Sequence, residues 1–219
     1  MKKVFVVLFA AASLAACKQN TKTSNEAGQV AQASDSAATY TVDATASTLG
    51  WSGSKVVSGS HTGTINIQTG ILSFENGELK SGNFTVDMKT IKNTDITDAA
   101  ENAKLVGHLA SPDFFNVDSF PTATFEITKV EKLAAADANG NTHSVSGNLS
   151  IKNNTREITF PAKITTADGS VTATAKTEIN RLEWNVMWGN EKDTKARAFL
   201  KENFLSNIIG ININLVAKK

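Results

Sequence analysis

The chain has 219 residues with 22 basic and 21 acidic side chains and a formal net charge of +1, so it offers no field that would concentrate nucleic acid. A single cysteine excludes an intrachain disulfide, and the three histidines His61, His108 and His143 lack metal-ligand spacing. Eleven phenylalanines against one tyrosine mean that most of the aromatic surface has no polar handle and has to be buried.

The N-terminus reads Met1-Lys2-Lys3, an apolar run from Val4 to Leu14, then Ala15-Ala16-Cys17. A basic start, a short apolar stretch and a small-residue cleavage site predict a secretory signal peptide over residues 1–16. The run falls short of the roughly 20 apolar residues a membrane span needs. Leu14-Ala15-Ala16-Cys17 is similar to the lipobox of bacterial lipoproteins, which implies cleavage before Cys17 and a diacylglycerol on its thiol. The alternative is an ordinary exported protein with its lone cysteine at the cleavage site. Two or three acyl chains, at about 0.8 kcal/mol per buried methylene, would hold Cys17 on a membrane. Lys18, rather than aspartate, follows the cysteine; by resemblance to enterobacterial sorting, that points to the outer membrane of the cell envelope, facing the periplasm. Removing Lys2 and Lys3 leaves the basic residues one short of the acidic ones. Residues 18–39 are mostly Ala, Ser, Thr, Gln and Asn. Such a segment cannot bury enough surface to offset chain entropy. Residues 17–39 are therefore expected to be a lipidated cysteine and flexible tether, with an r.m.s. reach of roughly 25 Å.

Residues 40–219 are long enough for one domain with a large core. Strand signals dominate from Thr39–Asp43 and Leu49–Val57 onward. Polar and apolar residues alternate in Thr64–Ile67, Asn83–Met88, Thr124–Thr128, Asn148–Ile151 and Ile209–Leu215, so each has one buried face and one wet face. Glu157–Thr165 and Val171–Asn180 are further strands. Turn signals stand at Glu75-Asn76-Gly77, Ala138-Asn139-Gly140 and Ala167-Asp168-Gly169. Two segments break the pattern. Asp98-Ala99-Ala100-Glu101 has the form of a capping box and opens a helix to about Leu109, which Pro112 ends. Asp193–Asn207 carries Ala196, Phe199, Leu200 and Phe204 at helical spacing and predicts a second, shorter helix. Eight or more antiparallel strands with one apolar face imply an all-β sandwich or closed barrel, and closure would leave no edge exposed.

These residues resemble the YceI-like family of exported, lipocalin-like proteins. The resemblance runs from Tyr40-Thr41-Val42-Asp43 and Leu49-Gly50-Trp51 to Ala217. Its most specific part is Leu109-Ala110-Ser111-Pro112-Asp113-Phe114-Phe115-Asn116-Val117, followed by Phe120-Pro121-Thr122-Ala123-Thr124-Phe125. Gly147-Asn148-Leu149-Ser150-Ile151 and the Arg-containing Ile179–Val186 add to it. The resemblance implies an antiparallel lipocalin-like β-barrel with one or two short helices and an elongated apolar interior. Some members of the family bind polyisoprenoid or quinone-type chains there. Leu105–Leu109 stands where the family often has an Arg-Asp stretch, Trp184-Asn185 replaces a more usual Phe-Gly, and Asp193–Asn207 looks like an elaboration.

An eight-stranded barrel is just wide enough to be filled or to hold one small ligand. Phe84, Val86, Met88, Phe125, Ile127, Leu149 and Ile151 are the candidate inward positions; they line a ligand slot or pack a solid core. Phe114, Phe115 and Phe120 would close one end beside the helix. Leu105, His108 and Leu109 share the helix's apolar face, where His108 would meet a ligand head group or sit as a satisfied rim histidine. Arg181, read as a strand residue, must be paired if it points inward, with Glu183, Asp113 or another carboxylate. Trp184 completes the candidate ligand-binding set. No nucleophile elbow, phosphate-cradling loop or paired carboxylates are present, so neither a catalytic residue, a metal nor a cofactor is expected. The leading expectation is an anchored binder of an isoprenoid, quinone or similar apolar lipid. Its alternatives are an envelope interaction module with a filled core, and an enzyme with a polar cluster in its cavity.

Overall fold

The computed structural model describes residues 23–56, 59–190 and 204–219. Among them run nine strands: β1 (Ala38–Val42), β2 (Thr48–Lys55), β3 (Ser60–Glu75), β4 (Glu78–Asn93), β5 (Thr122–Lys132), β6 (His143–Ile151), β7 (Asn154–Ala167), β8 (Ser170–Asn180) and β9 (Leu205–Lys218). Helix α1 (Ala99–Ala110) lies between β4 and β5. All pairings are antiparallel, in the cyclic order β2-β9-β8-β7-β6-β5-β4-β3, with β3 returning to β2. The result is a closed eight-stranded barrel. β1 continues the position of β2: it pairs Ala38–Thr41 with the far end of β3 and Thr41-Val42 with the end of β9.

Local chemistry sets the hairpins. Asn76-Gly77, Lys152-Asn153 and Asp168-Gly169 are two-residue connections in which both residues have positive φ, the turn geometry that matches strand twist. The β3–β4, β5–β6 and β7–β8 connections define a hairpin end. At the opposite end lie α1, the β6–β7 turn and the segment after β8. α1 starts where the Asp98 carboxylate accepts the N–H groups of Ala100 and Glu101, satisfying donors that a helix start leaves orphaned. Buried Asn93, at the end of β4, fixes the helix from below. Its side chain donates to Thr62 O and accepts from Ile96 N–H and the Asn102 amide.

The inward faces are graded in size and burial. On β9, Leu215 and Ala217 are buried while Ile209, Ile211 and Ile213 are only half-buried. β8 directs small residues, Ala173, Ala175 and Thr177, into the middle of the barrel. Phe84, Phe125 and Phe160, on β4, β5 and β7, form a row with centroids 6.2 and 5.7 Å apart. Phe125 lies over Gly147, where a Cβ would overlap its ring.

Three expectations are corrected. The part of the expected tether that is described, residues 23–37, is laid along the outer wall. Asn25 exchanges both backbone hydrogen bonds with Glu157 at 2.8 and 3.0 Å, the Asn148 amide exchanges two with Gly28 at 2.8 Å, and Ala31 N–H reaches Ile127 O at 2.9 Å. The cause lies in the wall. β7 pairs with β8 only over Ala162–Ala167, leaving a notch beside Asn154–Pro161. Glu157 turns its backbone groups into that notch. Pro161 shares this side by the two-residue period of a strand and has no N–H to offer β8. At Glu157 the N-terminal segment supplies what β8 does not, so backbone bonding helps order a stretch with almost no large apolar side chain. Second, Arg181 is not in a strand: Arg181–Trp184 form a 3-10 turn that the Asn180 side chain caps. Third, of the helix expected over Asp193–Asn207, residues 193–203 lie outside the described residues, and Leu205–Asn207 belong to β9.

Gly147→Ala is expected to destabilise the barrel by about 1–3 kcal/mol through overpacking against Phe125. A lowered urea midpoint with an unchanged slope would show this; an unchanged midpoint would mean that Phe125 does not depend on the missing Cβ.

Candidate ligand-binding site

Two cavities lie end to end inside the barrel. The inner one, about 150 Å³, is lined by apolar side chains and the threonines Thr124, Thr174 and Thr177. The outer one, about 300 Å³, lies beneath α1 at the helix end. Leu49, Val86, Leu149 and Ile211 line both, so these four form the neck between compartments.

The expected residues divide along this axis. Phe84, Phe125 and Ile127 line the inner compartment. Val86 and Leu149 stand at the neck. Met88, Leu105, His108, Leu109, Phe114, Phe115, Ile151 and Arg181 line the outer one. Trp184 lines neither and is corrected to a packing residue: it is wholly buried, and its indole N–H donates to Leu149 O at 2.8 Å. Phe120 also lies outside both linings.

At the mouth, aromatic rings enclose His108, which meets Trp188 edge-on at 4.5 Å and Phe114 at 5.2 Å between centroids. His108 Nε2 lies 3.8 Å from a carboxylate oxygen of Asp113. Arg181 is 2% exposed, and burial lowers its pKa to about 10. The expected carboxylate partner is replaced by carbonyls. The guanidinium donates to Ser206 O at 3.0 Å, Val186 O at 2.7 Å and Trp188 O at 2.8 Å, and among the described residues no carboxylate pairs with it. Arg181 thereby clamps the 186–188 segment against β9 and sets Trp188 over the cavity. Lys152 does a similar job nearby: its ammonium donates to Phe114 O and Asn185 O at 2.8 and 2.9 Å, and burial lowers its pKa.

Several lining residues were not in the expected set. Leu49, Ile67, Ile211 and Ile213 carried the same alternation as those chosen on β4–β6, and extending that rule to every strand would have found them. Trp51 also faces inward, over Gly63, and donates its indole N–H to Lys92 O at 3.1 Å. Trp188 sits in an irregular segment, where periodicity gives no signal. Among the described residues no three His, Cys, Asp or Glu side chains converge as metal ligands would.

Arg181→Ala should destabilise by about 3 kcal/mol, because three carbonyls lose a charged donor. Arg181→Lys should recover little, since an ammonium lacks the planar fork; chemical denaturation of both variants checks this. Acid will loosen the mouth at another point. The Thr62 N–H and the His61 ring hold the Asp95 carboxyl at about 2, below the ordinary value near 3.9. Its contribution to stability is in place above that ordinary value and is lost as pH falls through about 2. Tm measured between pH 5 and 2 should therefore fall less in Asp95→Asn than in the parent chain.

Comparisons with known proteins agree with this architecture. The UPF0312 protein of Pseudomonas aeruginosa (strain LESB58) is 38% identical over 90 residues, 38% of this chain and 44% of that protein. A UPF0312 protein of Yersinia pestis (strain Pestoides F) is 37% identical over 92 residues, with the same coverage. The match thus spans under half the length of these curated relatives. Among solved structures, Burkholderia cenocepacia BcnA shares the fold at 24% identity and a TM-score of 0.57, covering 80% of this chain and 98% of that one. A polyisoprenoid binding domain from Saccharophagus degradans, implicated in plant cell wall breakdown, does so at 16% identity and a TM-score of 0.57, covering 82% and 97%. With the YceI-like domain matched over residues 40–217, the chain belongs to the YceI-like family.

Proposed function

We propose that the protein is a membrane-anchored binder that encloses one long apolar chain, a polyisoprenoid, quinone or similar lipid, for sequestration or hand-off in the periplasm. The observation that carries this reading is the half-buried state of Phe84, Val86, Phe125, Leu149, Ile211 and Ile213, which face the barrel interior and line its cavities. Inward side chains of a filled core would be buried outright, as Phe74, Val171 and Ala217 are at the hairpin end. The interior therefore reads as a slot closed at one end.

Magnitudes favour a long ligand. Each buried methylene contributes about 0.8 kcal/mol, while association costs roughly 4–15 kcal/mol before any net affinity remains. Micromolar binding at about −8 kcal/mol thus takes roughly 15–30 buried methylene-sized groups, because the inner lining carries no charged side chain and those of the outer one are confined to Lys55, His61, His108 and Arg181. A polyprenyl or quinone tail has that much apolar surface. The Saccharophagus domain named for polyisoprenoid binding supports the same ligand class. Binding rather than catalysis fits an inner compartment whose polar side chains are threonines. The anchor rests on the Leu14–Cys17 motif, which lies outside the described residues.

The test is native mass spectrometry with organic extraction on the chain from Thr23, expressed in a bacterial periplasm. An isoprenoid or quinone at near-unit stoichiometry is expected. Leu149→Trp, which narrows the neck, should reduce long-chain occupancy at least tenfold while the fold persists. An empty protein that also fails to take up added polyprenol would overturn the binding reading in favour of a filled interaction module.

A further inference from the structure

The N-terminal segment enters the barrel wall at one particular end. Thr23 N–H donates to a Glu183 carboxylate oxygen at 3.0 Å, the Ser24 hydroxyl bonds the other oxygen of the same carboxylate, and Asn180 N–H donates to the Thr23 hydroxyl at 2.7 Å. Glu183 belongs to the 3-10 turn after β8, two residues from Arg181 in the lining of the outer cavity. From there the segment runs away from the helix end. It passes Glu157, Asn148 and Ile127 in turn and reaches Glu75, beside the β3–β4 turn, through Ser34 N–H. Thr23, the first described residue, therefore stands at the helix end.

Only Lys18 to Lys22 stand between Cys17 and Thr23. A chain spans at most about 3.5 Å per residue, so these six steps reach roughly 20 Å and no further. We infer that the helix end of the barrel, with the mouth of the outer cavity, is the face held against the lipid bilayer that carries Cys17. Ligand would then pass between bilayer and cavity without a free excursion through water. The inference rests on the anchor reading of Cys17 and adds an orientation to it.

The face fits such a partner. Val56, in the β2–β3 connection, is 66% exposed, and Met187, beside the Arg181 clamp, is 38% exposed. Both stand at this end, as do the exposed Ser54 and Lys55 on the cavity rim. The opposite end has no comparable route to the anchor, because the docked segment takes up the chain between Thr23 and β1 along the wall. A free tether of 22 residues would leave the barrel able to present any face; five residues after a docking point at the helix end do not.

The experiment uses the full chain, whose sole cysteine is consumed if Cys17 is acylated. Met187→Cys at the helix end and Ala135→Cys in the exposed β5–β6 loop at the hairpin end each receive a fluorophore. The labelled proteins are placed in phosphatidylethanolamine–phosphatidylglycerol vesicles containing a lipid with a head-group quencher. Quenching of the Met187 position at least threefold stronger than that of Ala135 is expected. Membrane-bound protein with equal quenching at the two positions, or stronger quenching at Ala135, overturns the orientation alone. Protein that stays in the supernatant and lacks acyl chains by mass spectrometry overturns the anchor reading, and the orientation with it.

Discussion

Closure of the sheet by β3 against β4 is the constraint on which the rest depends. Once the two sixteen-residue strands pair, every strand has two neighbours, and alternate side chains must share one interior. Each strand's apolar set is then committed to that space, because a one-residue slip would exchange inside and outside. The interior volume follows from strand number. What varies is how far the inward residues fill it. Small residues on β8 leave unfilled space among the bulky rings of β4, β5 and β7, a space that side chains of all eight barrel strands line, with Gly147 giving Phe125 the room to lie over it.

The two ends of the barrel are treated differently by polar chemistry rather than by packing alone. The hairpin end closes with buried aliphatic and aromatic residues, two-residue turns at β3–β4 and β7–β8, and the longer β5–β6 loop. The helix end is built from irregular chain, whose carbonyls need donors. Arg181 and Lys152 supply them, and Asn93 with Asn102 ties α1 to the end of β4. An isolated buried cation would be costly. Here the cost is met by convergent carbonyl dipoles, which hold loops in place in a way that an ion pair between two flexible side chains would not. The aromatic cluster around His108 depends on this scaffold, since Trp188 is placed by the carbonyl that Arg181 grips.

The notch between β7 and β8 links the wall to the N-terminal segment. A barrel with unpaired backbone along one strand would carry the hazard of an exposed edge. The segment from Thr23 meets that stretch through the Asn25–Glu157 backbone bridge and the Arg156–Glu26 ion pair, and it does so without a hydrophobic residue larger than Val30 among residues 23–37. Composition tests whether a segment can bury apolar surface; it says nothing about backbone donors left waiting elsewhere in the fold. Pro161 was visible within a strand, and its missing N–H was the one local sign of the notch.

By itself the sequence determined the strands, the hairpin turns at Asn76-Gly77 and Asp168-Gly169, the helix capped by Asp98, and the inward identity of Phe84, Val86, Phe125 and Leu149. Each of these rests on local periodicity or a residue's own backbone preference. Tertiary structure alone decided that Trp184 packs while Trp188 lines the mouth, that carbonyls rather than carboxylates receive Arg181, and that residues 23–37 belong to the wall. Those outcomes depend on which backbone groups remain unpaired after the barrel closes. That quantity belongs to the whole sheet, and no single segment encodes it.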